Sequence, residues 1–249
     1  MVGRILIDRE HTRNALGPDV VAGLREAIDA AAGAGCSVVV VRGAGGTLSS
    51  GADLKFLQSV LGDEAALRDY ITSIGETLDR LEAAPFVSVC VVDGYAVAGG
   101  CEILLACDLA VASERAKIGD RHLEYGLLPG AGGSVRLTRA VPPTLARRLL
   151  YTGEIVDGVT AAHFGLVSEV VPPAEVDEAL ERVVARLARH APDALRAMKR
   201  LHRNALTTEP APAIVEERET LLAHLGGAAA KEGLAAFAER RAPRFTPDR

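Results

Sequence analysis

The sequence has no surplus of basic residues. Its 28 Lys and Arg are outnumbered by 33 Asp and Glu, which gives a formal net charge of -5. Nucleic acids and anionic membranes attract basic surfaces, so we expect neither as a partner. No apolar run is long enough to span a membrane, and the first ten residues are charged early and lack the apolar core of a secretory signal. These absences favour a cytoplasmic protein.

Close Cys-x-x-Cys pairs are also missing. The four cysteines lie in or beside apolar runs, and they are Cys36, Cys90, Cys101 and Cys107. We therefore expect buried free thiols, as in a reducing cytoplasm. No His and Cys spacing typical of a metal site is present, so we expect no metal.

The glycine-rich stretches lack the patterns of the common nucleotide-binding loops. Residues 43–46, Gly-Ala-Gly-Gly, follow a strand-like run without the third glycine of the dinucleotide fingerprint, and no Gly-Lys-Ser/Thr completes a phosphate loop. No nucleophile elbow with a Ser-His-Asp set is found either. The sequence therefore implies no separate cofactor.

No linker rich in proline, serine or charge interrupts the 249 residues, and a hydrophobic fraction of 49% argues against disorder. Apolar periodicity in the first two-thirds alternates between strand and helix, which is typical of parallel strands joined by crossover helices. After Gly133 the periodicity indicates helices, with residues 166–171 as the exception. We predict an α/β fold with a core at residues 1–172 and a helical region at 173–249. The individual segments are strands at 2–8, 38–42, 86–92 and 109–112, and helices at 19–32, 64–83, 134–140, 145–152, 176–189, 193–206, 213–225 and 231–240.

Residues 94–102, Gly-Tyr-Ala-Val-Ala-Gly-Gly-Cys-Glu, are the most informative stretch. A strand-like run ends there in a turn of small residues, and a helix begins that carries the carboxylate of Glu102. Gly99 and Gly100 have no Cβ, so a ligand can approach backbone N–H groups at the positive end of a helix dipole. A second glycine-rich turn leads to residues 51–55, Gly-Ala-Asp-Leu-Lys. The two turns could together form an oxyanion hole.

In this order, and followed by Gly-Ala-Gly-Gly at 130–133, these motifs resemble the enoyl-CoA hydratase/isomerase family of the crotonase superfamily. The resemblance runs from Arg-Asn-Ala-Leu at 13–16 to Glu-Arg-Arg-Ala-Pro-Arg-Phe at 239–245, nearly the whole chain. It implies a crotonase-like ββα spiral core with a C-terminal helical region that forms trimers, often paired into hexamers. It also implies an acyl-CoA thioester as substrate, with no cofactor beyond coenzyme A as part of that substrate.

The resemblance assigns roles to individual residues. Ala52 and Gly99 match the backbone donors to the thioester oxygen, which becomes negative in an enolate-like state. Glu102 matches the first catalytic glutamate, a general acid/base. The contacts to acyl-CoA are expected from Ala52, Asp53, Leu54, Lys55 and Gly99. Cationic candidates for the phosphorylated end of coenzyme A are Arg13, Lys55, Arg240, Arg241 and Arg244.

The second catalytic glutamate of the family is absent from its expected place. Counting without gaps from Glu102 to Pro129 puts His122 there, and Arg121 replaces the preceding proline. Histidine exchanges protons near neutral pH, so His122 is the candidate second catalytic residue, with a purely structural role as the alternative.

Two carboxylates flank this position. Glu124 lies two residues beyond His122, and in an extended segment positions two apart share a face, so its carboxylate could reach the same cavity. The alternative is a solvated or ion-paired side chain. The same two alternatives apply to Asp120, which lies two residues before His122.

We therefore expect an enoyl-CoA hydratase-like enzyme that adds water across a 2,3-double bond of a CoA thioester. The alternatives are an isomerase or C–C hydrolase of the same superfamily using Glu102 and His122, or a non-catalytic acyl-CoA-binding protein. The walls of the acyl pocket are expected from residues 57–70 and from the C-terminal helices.

Overall fold

A run of four valines at residues 38–41 forms the second strand of the main sheet in the computed structural model, which describes residues 1–245. In chain order the strands of this part are β1 (Val2–Ile7), β2 (Val38–Gly43), β3 (Val87–Val92), β4 (Tyr95–Val97), β5 (Leu109–Ser113), β6 (Lys117–Gly119), β7 (Val156–Asp157) and β8 (Glu169–Val171). The helices are α1 (Pro18–Gly33), α2 (Leu54–Val60), α3 (Glu64–Ala83), α4 (Gly99–Ala106), α5 (Gly133–Ala140), α6 (Pro143–Thr152), α7 (Gly158–Phe164), α8 (Val176–Ala188), α9 (Pro192–Ala205), α10 (Pro210–Leu225) and α11 (Ala228–Ala238).

The main sheet is parallel, with the strand order β1-β2-β3-β5-β8. Because successive side chains alternate between faces, Val39 and Val41 join one apolar core while Val38 and Val40 join another. The second core is closed by α8 through residues such as Val176. A parallel sheet buried on both faces explains the unbroken run of valines.

A second, three-stranded sheet places the candidate site. Its order is β4-β6-β7, with β4 parallel to β6 and Val97 opposite Gly119. Because parallel strands end at the same edge of a sheet, the segments that follow β4 and β6 are neighbours. The N–H of Ala98, one residue past β4, donates to the carbonyl of Gly119 at 3.0 Å. Glu102 and His122 are carried by these two segments.

The structure confirms the predicted α/β class, the parallel strands and the helical C-terminal region. The predicted helices occur with ends shifted by a few residues, and the predicted exception to the helices at 166–171 contains the strand β8. Three short strands, β4, β6 and β7, and two helices, α2 and α7, were not predicted. The expectation of helices alone after Gly133, apart from 166–171, was therefore wrong at β7.

The predicted division after residue 172 remains a proposal. The helix α8 covers the main sheet, and Lys199 on α9 donates to the Phe86 carbonyl at 2.8 Å and to Asp108 at 2.7 Å. Helices α10 and α11 continue from α9 and leave large apolar side chains exposed, among them Phe237 at 85%.

Among residues 1–245, no helix has the length and hydropathy needed to cross a membrane. The same residues contain no group of three or more His, Cys, Asp or Glu side chains that could hold a metal ion. All four cysteines are free, three of them are buried, and Cys107 is half-buried.

Candidate active site

The two glycine-rich turns lie backbone against backbone. A Cβ on Gly100 would lie 2.1 Å from the carbonyl oxygen of Ser49, and a Cβ on Gly51 would lie 3.0 Å from the amide nitrogen of Gly99. Gly51 also has φ +99°, a region that side chains rarely adopt. Glycine is therefore required at both positions for the segments to approach this closely.

Both residues of the predicted oxyanion hole, Ala52 and Gly99, line one cavity of about 240 Å³. Within residues 1–245, neither of these two backbone N–H groups donates to a protein acceptor. Gly99 is the first residue of α4, so its N–H belongs to the free donors at a helix N-terminus. Two residues that line the cavity thus carry backbone N–H groups without a partner in the described chain.

The walls of this cavity are aliphatic. Among the lining residues, Glu102 and His122 are the two with ionisable side chains. The predicted segment 57–70 contributes three lining residues, whereas the C-terminal helices contribute none in this single chain. The aliphatic lining residues are Leu16, Leu57, Leu61, Leu67, Ile71, Ile74, Leu127 and Leu128.

Glu102 is only 3% exposed and is held by the loop that precedes α5. Its Oε1 accepts hydrogen bonds from the N–H groups of Ala131, at 2.9 Å, and Gly133, at 2.8 Å. Burial raises the pKa of Glu102 above its usual value, although these hydrogen bonds and the nearby His122 act in the opposite direction. A carboxyl with a raised pKa exchanges protons more readily near neutral pH.

His122 lines the same cavity, with its side chain 12% exposed. Its Nδ1 is 3.0 Å from Oδ1 of Asp120, a buried carboxylate. Burial lowers the pKa of His122, but the hydrogen bond and charge of Asp120, together with the charge of Glu102, outweigh it and raise the pKa above the usual value. Asp120 is thus the carboxylate neighbour that engages His122.

Glu124, the other flanking carboxylate, points elsewhere. It accepts a hydrogen bond from Arg121 and is not part of the cavity lining. Glu124 is therefore an ion-paired side chain in this structure. Its position does not support the alternative that Glu124 carries a proton in the cavity.

Arg136 on α5 connects the loop that holds Glu102 to helix α3. Its guanidinium donates to the carbonyl of Ala131 at 2.6 Å, to Glu82 at 2.8 Å and to Asp79 at 2.6 Å. These side chains also border a larger cavity of about 670 Å³ that contains none of the predicted catalytic or oxyanion residues. Its greater volume therefore does not mark it as the site of the predicted chemistry.

Comparisons with known proteins show the family of this chain. The sequence matches the model of the family described as Enoyl-CoA hydratase/isomerase over residues 1–248. The chain belongs to this family. It is 32% identical to the 2,3-dehydroadipyl-CoA hydratase of Escherichia coli over 97% of the chain and 93% of that protein. It is 30% identical to the crotonyl-CoA hydratase of Syntrophomonas wolfei over 97% and 93%.

Solved structures of the enoyl-CoA hydratase/isomerase family show the same fold. An enoyl-CoA hydratase from Bacillus anthracis superposes with a TM-score of 0.94 at 29% identity, covering 99% of this chain and 96% of that one. This confirms the predicted crotonase-like fold. The family is enzymatic, so the chain is identified as an enzyme of the hydratase/isomerase class that acts on acyl-CoA.

The remaining predicted contacts lie outside the cavity lining. Asp53 caps α2 by accepting hydrogen bonds from the N–H groups of Lys55 and Phe56, each at 3.1 Å, while Leu54 and Lys55 are exposed. Arg13 stacks on the ring of Tyr95 at 5.7 Å. The C-terminal candidates lie at the chain end, where Arg241 pairs with Glu232 and Glu239, and they are Arg240, Arg241 and Arg244. Their contact with coenzyme A remains a prediction.

Sequence reasoning missed the backbone donors to Glu102 and the link between Asp120 and His122. The Gly-Ala-Gly-Gly motif at 130–133 was noticed, but its spacing alone did not indicate that its N–H groups bind a carboxylate. No local signal separates Asp120 from Glu124, because both lie two residues from His122.

Proposed function

We propose that this protein is an enoyl-CoA hydratase that uses one glutamate and one histidine. The observation that carries the proposal is a single apolar cavity that brings together two unpartnered backbone N–H groups, of Ala52 and Gly99, with Glu102 and His122. A thioester oxygen between the two donors gains stabilisation as it becomes negative, without any change in protonation of the protein. Coenzyme A enters as part of the substrate, and the proposal needs no other cofactor.

In the hydration direction, Glu102 takes a proton from water while the water oxygen attacks the β carbon. The electron pair of the double bond moves to the thioester oxygen, where the Ala52 and Gly99 N–H groups donate to it. His122, as an imidazolium, then gives a proton to the α carbon. Transfer of the proton from Glu102 to His122 restores both groups, so water has been added with no net change in the enzyme.

The aliphatic walls favour an uncharged acyl chain. No lysine or arginine lies among the described lining residues, and His122 is committed to the reacting carbons, so a carboxylate at the far end of the acyl chain would lose its hydration without gaining a partner. The relative named for 2,3-dehydroadipyl-CoA acts on a chain that ends in such a carboxylate. For this protein we propose unsubstituted 2-enoyl chains, as in the name of the crotonyl-CoA hydratase relative.

A panel of CoA thioesters tests the proposed function. With 2-enoyl-CoA substrates that represent two or three different acyl chain lengths, we expect the conjugated enoyl absorbance to fall as the 3-hydroxyacyl-CoA forms. We expect 2,3-dehydroadipyl-CoA to be a poor substrate. Migration of the double bond without water uptake would identify the isomerase alternative, and release of a shortened acyl group the C–C hydrolase. Binding of every thioester without conversion would leave only the acyl-CoA-binding alternative.

We also propose a homotrimer or a dimer of trimers in the cytoplasm. Exposed apolar side chains on α10 and α11 support an interface between copies, because such faces are normally buried in a partner. The supporting residues are Ile214, Val215, Leu221, Leu222, Leu225, Leu234 and Phe237. Light scattering at micromolar concentration should give the mass of three or six chains, and a monomer alone would contradict the assembly.

A further inference from the structure

The segment between β6 and the His122 turn has an unusual backbone. Arg121 is left-handed, with φ 58° and ψ 1°, a conformation that is uncommon for a residue with a side chain. The bend brings Asp120 against the residue two positions later. Oδ1 of Asp120 faces both the His122 ring nitrogen Nδ1, at 3.0 Å, and the His122 backbone nitrogen, at 3.4 Å. One carboxylate oxygen therefore contacts the histidine at two points.

This backbone is incompatible with the proline that the resembled family has at the position of Arg121. The proline ring fixes φ near -65°, so proline cannot adopt the φ of +58° found at Arg121. The changes at positions 121 and 122 are thus physically linked, because the contact between Asp120 and His122 is made across this bend. A left-handed conformation typically costs about 1 kcal/mol or more in folding free energy, and Arg121 adopts it at a position beside the cavity.

Resting on the proposed function, we propose that Asp120 is a positioning residue that holds His122 as a proton donor through Nε2. A carboxylate only accepts hydrogen bonds, so the pairing places a proton on Nδ1 and leaves Nε2 as the ring atom that exchanges a proton with substrate. The negative charge of Asp120 also stabilises the imidazolium that gives its proton to the α carbon. In this way a buried Asp-His pair takes the place of one carboxylate.

The surroundings of His122 support Asp120 as its main partner. Glu102 faces it from α4, and the second oxygen of Asp120 lies close to Gly133, where a Cβ would come within 3.0 Å of it. On its own segment, Arg121 and Glu124 form an ion pair with each other. From α6 and the turn behind it, Arg148 and Glu154 form another pair. No other charge among the described residues makes a direct contact with the ring.

The experiment compares Asp120→Asn with Glu124→Gln, since each removes one carboxylate two residues from His122. Asparagine keeps the size and an acceptor but loses the charge. We expect Asp120→Asn to lower kcat for hydration about tenfold or more with KM little changed. The basic limb of the pH–rate profile of this variant should move to lower pH by about one unit or more. The reason is that the His122 imidazolium loses the counter-charge of Asp120, which lowers its pKa. Glu124→Gln should keep the parent pH profile.

The same change in a His122→Ala background separates positioning from a general structural role. If Asp120 acts through His122, then Asp120→Asn should cost little further activity in that background. An unchanged basic limb in Asp120→Asn, or an equal loss of activity with and without His122, would overturn the proposal.

A titration independent of turnover keeps this test distinct from that of the proposed function. In protein labelled at histidine, the NMR resonance missing from His122→Ala reports the pKa of His122. We expect that pKa to be lower in Asp120→Asn than in the parent, even if no enoyl-CoA is hydrated. An identical pKa in the two proteins would show that Asp120 does not stabilise the imidazolium.

Discussion

Two neighbouring segments carry the ionisable groups of the cavity, and they begin alike. Each follows a strand of the small sheet, and each contains a residue with a side chain and a positive φ. These are Ala98, with φ 50° and ψ -119°, and Arg121, with φ 58° and ψ 1°. After Ala98 the chain enters α4 and is pressed against Ser49, leaving no room for a Cβ at Gly100. After Arg121 it forms a half-exposed turn in which His122 is held by one carboxylate.

The difference teaches which part of the site is free to vary. Backbone contacts fix the α4 segment, so its residues are determined by the space available. Side-chain contacts hold His122 in its segment. A different proposed acid/base residue can therefore replace the family glutamate there if its partner, here Asp120, changes with it. The substitutions below test this contrast between a segment that tolerates no change and one that accepts compensated changes.

The largest effect is expected in the α4 segment from Glu102→Gln. Glutamine keeps the size and an acceptor for the Ala131 and Gly133 N–H groups but removes the basic carboxylate. Turnover should fall about 10²–10⁴-fold while acyl-CoA binding largely survives, as measured by steady-state kinetics and calorimetry. Full activity on every accepted substrate would mean that the proposed chemistry is wrong.

The second effect concerns stability and compares the same substitution in two helices. Gly100→Ala would place a Cβ 2.1 Å from a backbone oxygen and should lower the free energy of unfolding by about 3 kcal/mol. Gly23→Ala in α1 meets no atom within 4 Å and should raise it by about 0.5–1 kcal/mol. Urea unfolding at one protein concentration measures both, and equal changes would show that the α4 segment is less constrained than proposed.

The smallest effect tests whether the His122 segment accepts a compensated change. His122→Glu restores the family residue but sets two carboxylates side by side, because Asp120 remains 2% exposed at that position. We expect hydration by His122→Glu to be about tenfold slower than by the double variant Asp120→Asn/His122→Glu, in which the repulsion is removed. Equal rates for the two variants would indicate that Asp120 turns away when the histidine is lost.

Long elements of the fold could be predicted from the sequence, and short ones could not. The valine run of β2 and the apolar stripe of α3 each carry enough residues to show a period. In contrast, β4, β6 and β7 span two or three residues, and their pairing depends on contacts between distant parts of the chain. Such strands leave no periodic signal of their own.

The site shows the same limit. Ala52, Gly99, Glu102 and His122 could be identified from motifs and spacing, and the structure brings all four to one cavity. Asp120 could not be distinguished from Glu124, because the choice depends on the left-handed backbone between Asp120 and His122. That conformation belongs to the folded chain and has no signature in the residue type, since arginine rarely adopts it.

The guanidinium of Arg136 connects a wall of the cavity to Glu102, the proposed general acid/base. It fixes α3, which carries Ile71 and Ile74 of the wall, to the carbonyl of Ala131, whose N–H holds Glu102. In the proposed reaction, we expect an acyl chain too long for the cavity to push on α3 and to displace the Glu102 carboxylate from the reacting carbon. We therefore expect kcat as well as KM to change with the length of the acyl chain. Selectivity for chain length would then depend on the rate of the reaction and not on affinity alone.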